Sequence, residues 1–286
     1  MELVSAAKMR KAVNNVLLSR AYAGLSWQTI LNIAANTESK LHPLLVKRPV
    51  KKIGLVVISS NRGLCGSFNT QILNQTIRYI KDQKENKNVD VELILNGKRC
   101  ADALAKRNYP IAAEFPKLDV TTKVEEIRAM SRLIIDDYLA GKFDQVVISY
   151  TDFISTISQK PRLFQLLPIE IGAAEEFLGQ TARATEKNEA SSPRSGEASK
   201  HLEYLFEPSA EEVLSQILPR LIEVKIYQAI LESDASEHSA RMMSMQNASM
   251  AASDMIDALT LAFNQARQAA ITTELADISG GRAALE

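Results

Sequence analysis

The sequence predicts a Rossmann-like α/β domain inserted between two long helices at the chain ends, which pair as a coiled coil. Both ends are nearly free of glycine and proline over long stretches, and the middle alternates β-branched runs with helical patterns. Aromatic residues make up 6% of the chain, whereas hydrophobic residues make up 46%. Aliphatic residues and alanine therefore carry the apolar character, which favours long helices over an all-β sandwich.

The first region, residues 1–45, is predicted to form an amphipathic coiled-coil helix that Pro43 ends. It contains one glycine and no proline before Pro43, and its apolar residues recur every three or four positions. Basic residues greatly outnumber acidic ones up to Lys52. This bias suits a partner with acidic loops, although a solvated basic face is the simpler interpretation.

The middle region, residues 46–178, is predicted to form the α/β domain. The run KKIGLVVISS is nearly continuous and β-branched, as expected of a strand buried on both faces. The alternation of strands with helices predicts right-handed crossovers and a mostly parallel sheet. Strands are predicted at 51–60, 89–97, 144–151 and 159–169, and helices at 68–83, 98–107 and 124–140.

The remaining regions are a predicted flexible loop with a return segment, residues 179–207, and a C-terminal coiled-coil helix, residues 208–286. The loop has almost nothing to bury, so burial cannot offset its ordering entropy. Ser209 and Glu212 have the spacing of a helix start. Between Pro219 and Gly280 there is neither proline nor glycine. A helix of about 90 Å would exceed any small domain, so we expect it to pair with the N-terminal helix.

Composition excludes several classes of function. Lys plus Arg and Asp plus Glu both number 34, which argues against a dedicated nucleic-acid binder. Cys65 and Cys100 are expected to be buried free thiols, and the three histidines form no ligand cluster, so no metal or other cofactor is predicted. No apolar run is long enough to span a membrane, and no signal peptide is evident, so we expect the chain to stay inside the cell.

The segment SSNRGLCGSFN, residues 59–69, lies where nucleotide-binding folds place their phosphate loop. Only Gly63 and Gly66 are present, with neither a G-x-G-x-x-G nor a G-x-x-x-x-G-K-[ST] pattern, so a tight structural turn is predicted instead. Cys65 has no histidine near it in sequence to act as a base. The adjacent acidic pairs cannot share a helix face, and no catalytic residue is predicted.

Three separated segments resemble the hallmark segments of the ATP synthase gamma subunit family. They are MELVSAAKMRKA (1–12), SSNRGLCGSFN (59–69) and ARQAAITTELADI (266–278). SEHSARMMSM (236–245) and YLFEP (204–208) fit as well, so the resemblance covers essentially the whole chain in order. The C-terminal segment is similar to the family signature at Ile271, Thr272, Glu274, Asp277 and Gly281.

The resemblance implies a non-catalytic central-stalk rotor subunit of the proton-translocating ATP synthase. Antiparallel N- and C-terminal helices would form a shaft inside a ring of alpha and beta subunits. The inserted domain would form a foot beside the epsilon subunit on the c-ring, peripheral to the cytoplasmic side of the cell membrane. Rotation of the c-ring would then bias the conformation of each beta-subunit catalytic site.

The resemblance also implies which residues contact these partners. Those expected to contact the alpha and beta subunits lie on the terminal helices: Lys8, Arg10, Lys11, Arg241, Gln268, Thr272 and Glu274. Those expected near the epsilon subunit and the c-ring precede the C-terminal helix: Tyr204, Leu205, Phe206 and Glu207.

Some features depart from the family pattern, and other interpretations stay open. Family members usually carry further helical turns before the position of Met1, which favours a start site placed too late over a shortened shaft. The loop at 179–200 is longer than usual, and Arg282 and Gln246 replace a small and an often basic residue. A nucleotide-dependent α/β enzyme with a coiled-coil arm would bind ATP, GTP or NAD by itself. A coiled-coil scaffold would form homodimers.

Overall fold

A computed structural model describes residues 1–35, 42–119, 123–169 and 210–283. The chain divides into two compact units, Met1–Met242 and Met243–Glu286. The predicted loop and return segment, including Tyr204, Leu205, Phe206 and Glu207, lies outside the described residues. Domain boundaries within that stretch therefore stay predictions.

The helices and strands follow the predicted order. They are α1 (Glu2–Ala35), β1 (Lys52–Ile58), α2 (Phe68–Lys87), β2 (Asp90–Asn96), α3 (Lys98–Ala105), β3 (Ile111–Phe115), a 3-10 turn (Val124–Ile127), α4 (Arg128–Leu139), β4 (Gln145–Phe153), β5 (Gln159–Leu167) and α5 (Ala210–Ala283). Strand β3 was not predicted. Its sequence, IAAEF, is short, partly exposed and low in β-branched residues, so it lacks the pattern by which a strand is recognised.

The five strands form one sheet in the order β3-β2-β1-β4-β5. The first four are parallel, and β5 pairs with β4 in the antiparallel direction. The prediction of a mostly parallel sheet is confirmed. Strand β1 lies between β2 and β4 and is buried on both faces, which explains its continuous apolar run. Pro161 lies in the edge strand β5, where a missing backbone donor is tolerated.

The sheet separates two hydrophobic cores, because neighbouring residues of a strand point to opposite faces. Leu55 and Val57 of β1 belong to the core that α2 and α3 cover. Val56 and Ile58 belong to the core that α4 and the first part of α5 cover. Both cysteines are free and buried, as predicted, and burial raises the pKa of the Cys100 thiol to about 11.

Helix α5 is continuous over 74 residues and passes through Pro219 and Gly280. The predicted cap residue Ser209 lies outside the described residues. Within the first unit, every residue from Gln228 to Ser239 is buried, including acidic ones. A helix that is buried on all sides needs partners for its polar groups as well as its apolar ones.

Candidate partner-binding surfaces

The C-terminal unit presents a large apolar surface to solvent. From Met243 to Arg282 the helix is exposed except at a few positions, and Phe263 and Ile278 are 66% and 64% exposed. The other large apolar residues exposed in this stretch are Met250, Met255, Ile256, Leu259, Leu261, Ile271 and Leu275. Soluble proteins rarely expose this many large apolar side chains along one helix unless a partner covers them.

Three of the predicted partner-binding residues lie on this exposed stretch. Gln268, Thr272 and Glu274 are all exposed. The Thr272 hydroxyl donates to the Gln268 carbonyl at 2.8 Å, a bond within the helix that leaves the Gln268 side chain accessible. The structure brings these residues to one solvent-facing helix, and their contacts with partners stay predictions.

The basic residues of α1 differ in their surroundings. Arg10 and Lys11 are exposed. The Lys8 ammonium group instead lies 2.9 Å from the Asp119 carboxylate, within the first unit. This hydrogen bond lowers the pKa of Asp119. Lys8 therefore has an intramolecular partner that its sequence neighbourhood did not indicate.

Helix α1 also packs against α5 in the first unit. Ala12 and Val16 of α1 are fully buried in a small cluster with Leu231 and Ala235 of α5. Phe153, at the end of β4, completes the cluster. Small residues at Ala12 and Ala235 allow a close approach of the two helices.

Among the predicted partner-binding residues that the structure describes, Arg241 has the least exposed side chain. Its side chain is 15% exposed and pairs with the Glu237 carboxylate at 2.8 Å, one helical turn away. The guanidinium group also donates to the backbone carbonyls of Arg62 and Gly63, each at 3.4 Å. The geometry makes Arg241 an anchor for the loop at 59–69, and its contact with a beta subunit stays a prediction.

The loop at 59–69, here called the glycine loop, is a tight hydrogen-bonded turn. Asn69 accepts from the Ser60 amide at 3.1 Å and donates to the Cys65 sulfur at 3.1 Å. Gly66 has a φ of 55°, a left-handed conformation that glycine adopts without steric cost. These bonds connect the loop to itself and to α2, as expected of a structural turn.

A buried lysine, which sequence reasoning missed, follows the end of β3. The Lys117 ammonium group lies 3.1 Å from the Asp234 carboxylate and 2.6 Å from that of Glu237. The three side chains are 2%, 0% and 9% exposed. Burial by itself would lower the pKa of Lys117, but Glu237 and Asp234 outweigh it and raise that pKa. Lys117 is therefore charged at neutral pH, and although burial by itself would raise the pKa of Glu237, Lys117 and Arg241 outweigh it and lower that pKa.

His238 extends this arrangement to the backbone after β3. Its Nε2 donates to the Asp119 carbonyl at 2.7 Å, so that nitrogen carries a proton. Its Nδ1 lies 3.2 Å from Arg241, which can only donate, so Nδ1 accepts and the ring is neutral. Burial lowers the pKa of His238, and the neighbouring guanidinium acts in the same direction. We call Lys117, Asp234, Glu237, His238 and Arg241 the junction cluster.

A signal for the junction cluster exists in the sequence. The four members on α5 are spaced at i, i+3, i+4 and i+7, which is one face of a helix. Asp234 and Glu237 fall in the part of the helix that the coiled-coil prediction places against a partner. Carboxylates at such positions require a buried cation, and the position of that cation, more than a hundred residues earlier, cannot be read from local spacing.

The carboxyl edge of the sheet is occupied by α5. The Thr151 amide of β4 donates to the Ser233 hydroxyl at 3.2 Å, and the Ser236 hydroxyl donates to the Thr151 carbonyl at 3.3 Å. Lys117 reaches the same helix from the end of β3. In open α/β sheets ligands bind outside this edge. Here side chains of α5 contact the end of β4 and Lys117 at this edge, in agreement with the interpretation of the glycine loop as structural.

None of the helices in the described ranges is both long and apolar enough to cross a membrane.

Comparison with known proteins gives one family over the whole chain. A family model described as ATP synthase matches residues 1–285. The ATP synthase gamma chain of Pelotomaculum thermopropionicum is 40% identical over 286 residues, which are 100% of this chain and 92% of that relative. The ATP synthase gamma chain of Chloroflexus aurantiacus is 39% identical over 289 residues, or 100% and 91% of the two chains.

Solved structures with a similar fold come from mitochondrial ATP synthases. A chain from the central stalk and c-ring structure of Tetrahymena thermophila has a TM-score of 0.61 at 24% identity, and the match covers 87% of this chain and 97% of that one. A chain from an OSCP, F1 and c-ring structure of Euglena gracilis has a TM-score of 0.56 at 17% identity, with 99% and 94% covered. At these identities the likeness shows the fold.

Proposed function

The chain belongs to the ATP synthase gamma-chain family, and from that premise we propose that it is the central-stalk rotor subunit of a proton-translocating ATP synthase. It is a non-catalytic subunit. Its partners are the alpha and beta subunits, the epsilon subunit and the c-ring. Rotation of the c-ring would turn this chain. Each beta subunit would then contact a different side of the chain in turn, which would shift the conformation of its catalytic site.

The observation that carries the proposal is the exposed apolar surface of α5 between Met243 and Ala283. Nine large apolar side chains in this stretch are between 49% and 66% exposed. A rod that turns inside a ring of other subunits needs such a surface, because side chains of the ring bury the apolar side chains that the rod exposes. An enzyme working alone would have no use for it.

We propose that α1 and α5 pair as an antiparallel coiled coil, which the cluster of Ala12, Val16, Leu231 and Ala235 supports. We also propose that the sheet unit is a Rossmann-like foot, which the strand order and the parallel β1, β2, β3 and β4 support. The Tetrahymena structure combines a central stalk with a c-ring. It supports a peripheral position at the membrane through the c-ring, and we place the chain on the cytoplasmic side.

Contacts with the beta subunit are proposed at the accessible members of the predicted set. Gln268, Thr272 and Glu274 expose hydrogen-bonding groups beside the apolar residues of α5. Arg10 and Lys11 expose positive charge on α1, which suits acidic partner segments. Lys8 and Arg241 already have intramolecular partners, so contacts with a beta subunit would have to share them or replace them.

Co-purification tests this proposal directly. The full chain is co-expressed with the alpha and beta subunits encoded in the same genome, and the beta subunit carries the affinity tag. We expect the chain to be retained at one copy for three tagged beta subunits, and to be lost when alpha and beta are omitted. Absence of the chain from the purified assembly would contradict the proposal. Recovery of a homodimer instead would favour a coiled-coil scaffold.

A further inference from the structure

The short segment Lys117–Asp119 joins parts of the first unit that are distant in sequence. Its Lys117 side chain pairs with α5, and its Lys117 carbonyl accepts from Asn61 of the glycine loop at 2.6 Å. Asp119 pairs with Lys8 of α1 through its side chain, and with His238 of α5 through its carbonyl. The sheet, the glycine loop, α1 and α5 therefore meet at three residues that follow β3.

We propose that Lys117 is a positioning residue that fixes the orientation of α5 about its own axis relative to the sheet. Torque applied to the foot then reaches the C-terminal part of α5 without rotation of the helix relative to the sheet. This inference rests on the proposed rotor function and names the contact within the chain that transmits the load. Nothing in the family comparison assigns a role to Lys117.

The chemistry of the contact suits this role. Apolar packing between a helix and a sheet is non-directional, so it opposes separation more strongly than rotation about the helix axis. A buried ion pair with short hydrogen bonds is directional. Lys117 has two carboxylate partners one turn apart on α5, Asp234 and Glu237, and both are almost fully buried. Two partners on successive turns fix both the rotation and the axial position of the helix.

Rotation of α5 by one residue, about 100°, would separate every cluster member on α5 from its partners outside that helix. Asp234 would become a buried carboxylate without its cation, which is the most costly form of a broken ion pair, and Glu237 would keep only Arg241 of its own helix. His238 would lose the Asp119 carbonyl, and Arg241 would lose the carbonyls of the glycine loop. Because these contacts would be lost together, the free energy would rise steeply when α5 rotates away from its observed orientation.

The test measures coupling in the assembled complex. The chain is assembled with all the other subunits of the complete ATP synthase encoded in the same genome, in lipid vesicles, and the ratio of protons pumped to ATP hydrolysed is determined. We compare the wild type with Lys117→Met, which removes the cation at similar volume, and Lys117→Arg, which keeps it. The matched control is Lys142→Ala, because Lys142 forms an exposed ion pair with Asp137 of α4, at 2.8 Å, that does not involve α5.

We expect Lys117→Met to lower the pumping ratio at least about fivefold in complexes of normal subunit content, and Lys117→Arg to restore most of it. Lys142→Ala should match the wild type. A wild-type ratio in Lys117→Met would overturn the inference while leaving the rotor function intact. A wild-type chain that fails to support pumping would instead contradict the proposed function.

Glu237→Gln provides a second variant in case Lys117→Met does not assemble. It removes one carboxylate with almost no change in volume and leaves Asp234 to hold Lys117. We expect an intermediate loss of coupling. If neither variant assembles while Lys117→Arg and Lys142→Ala do, the cluster determines folding rather than torque transfer, and the inference is wrong.

Discussion

Replacing Gly97 by alanine should lower the free energy of unfolding of the first unit by roughly 3–5 kcal/mol. Gly97 lies between β2 and α3 with a φ of 108°, outside the conformations that side chains favour. A Cβ atom there would lie 2.4 Å from the Ser59 carbonyl oxygen and 2.7 Å from its carbon. Both backbone strain and a clash with backbone atoms therefore oppose the substitution.

The clash cannot be relieved by a small movement of Ser59. Its amide donates to the Asn96 carbonyl at 2.8 Å, and its hydroxyl donates to the Gly97 carbonyl at 3.1 Å. The same hydroxyl accepts from the Cys100 amide at 3.2 Å. Moving Ser59 away would break bonds that join β1, β2 and α3. Urea denaturation of the full chain, followed by fluorescence and circular dichroism, measures the loss.

Gly141→Ala is the matched control. Gly141 also has a positive φ, 76°, but an added Cβ would meet nothing within 4 Å. Its substitution should therefore cost only the conformational strain, about 1–2 kcal/mol. Equal losses at the two positions would show that the close approach to Ser59 does not contribute, and the description of this part of the fold would be wrong.

Replacing Ile271, Leu275 and Ile278 together by serine should weaken binding of the chain to the alpha–beta assembly about 100-fold or more. The three residues lie at i, i+4 and i+7 on α5 and are 49%, 60% and 64% exposed. Burial of the exposed part of each side chain by a partner would contribute about 1 kcal/mol, or about 3 kcal/mol in total. Because the three side chains are exposed, the free energy of unfolding of the first unit should not change.

A matched control separates partner binding from helix propensity. Ala269, Thr273 and Ala276 lie on the same exposed stretch, and their replacement by serine introduces the same residue without removing a large apolar side chain. Affinity is measured with immobilised alpha–beta assembly. The control should bind within about threefold of the wild type. Similar losses for both triple variants would indicate that helix stability, and not the apolar surface, controls binding.

Local patterns in the sequence predicted most of the fold. Strand β1 was predicted because a strand buried on both faces must be continuously apolar, and α5 because neither proline nor glycine occurs between Pro219 and Gly280. The sequence did not indicate β3, which is short and partly exposed at the sheet edge. Nor did it indicate the direction of β5, which depends on the hairpin that joins it to β4.

The candidate surfaces were predicted less completely than the fold. The exposed positions of Gln268, Thr272 and Glu274 agree with a role in partner binding, because a surface helix leaves them accessible. Lys117 was missed because its partners lie more than a hundred residues away, and pairing at that distance leaves no local signal. The contact of Arg241 with an external partner stays a prediction, and the structure adds internal partners in Glu237 and the glycine loop that the sequence did not indicate.

In the proposed rotor, other subunits enclose the stretch of α5 from Met243 to Ala283. Amide hydrogen exchange of this stretch, in the isolated chain and in the alpha–beta assembly, tests it most directly. A solvent-exposed helix opens at little free-energy cost, so its amides should exchange rapidly in isolation. We predict that assembly slows this exchange at least about 100-fold. Equal exchange in the two states, with the chain verified to be bound, would contradict the account.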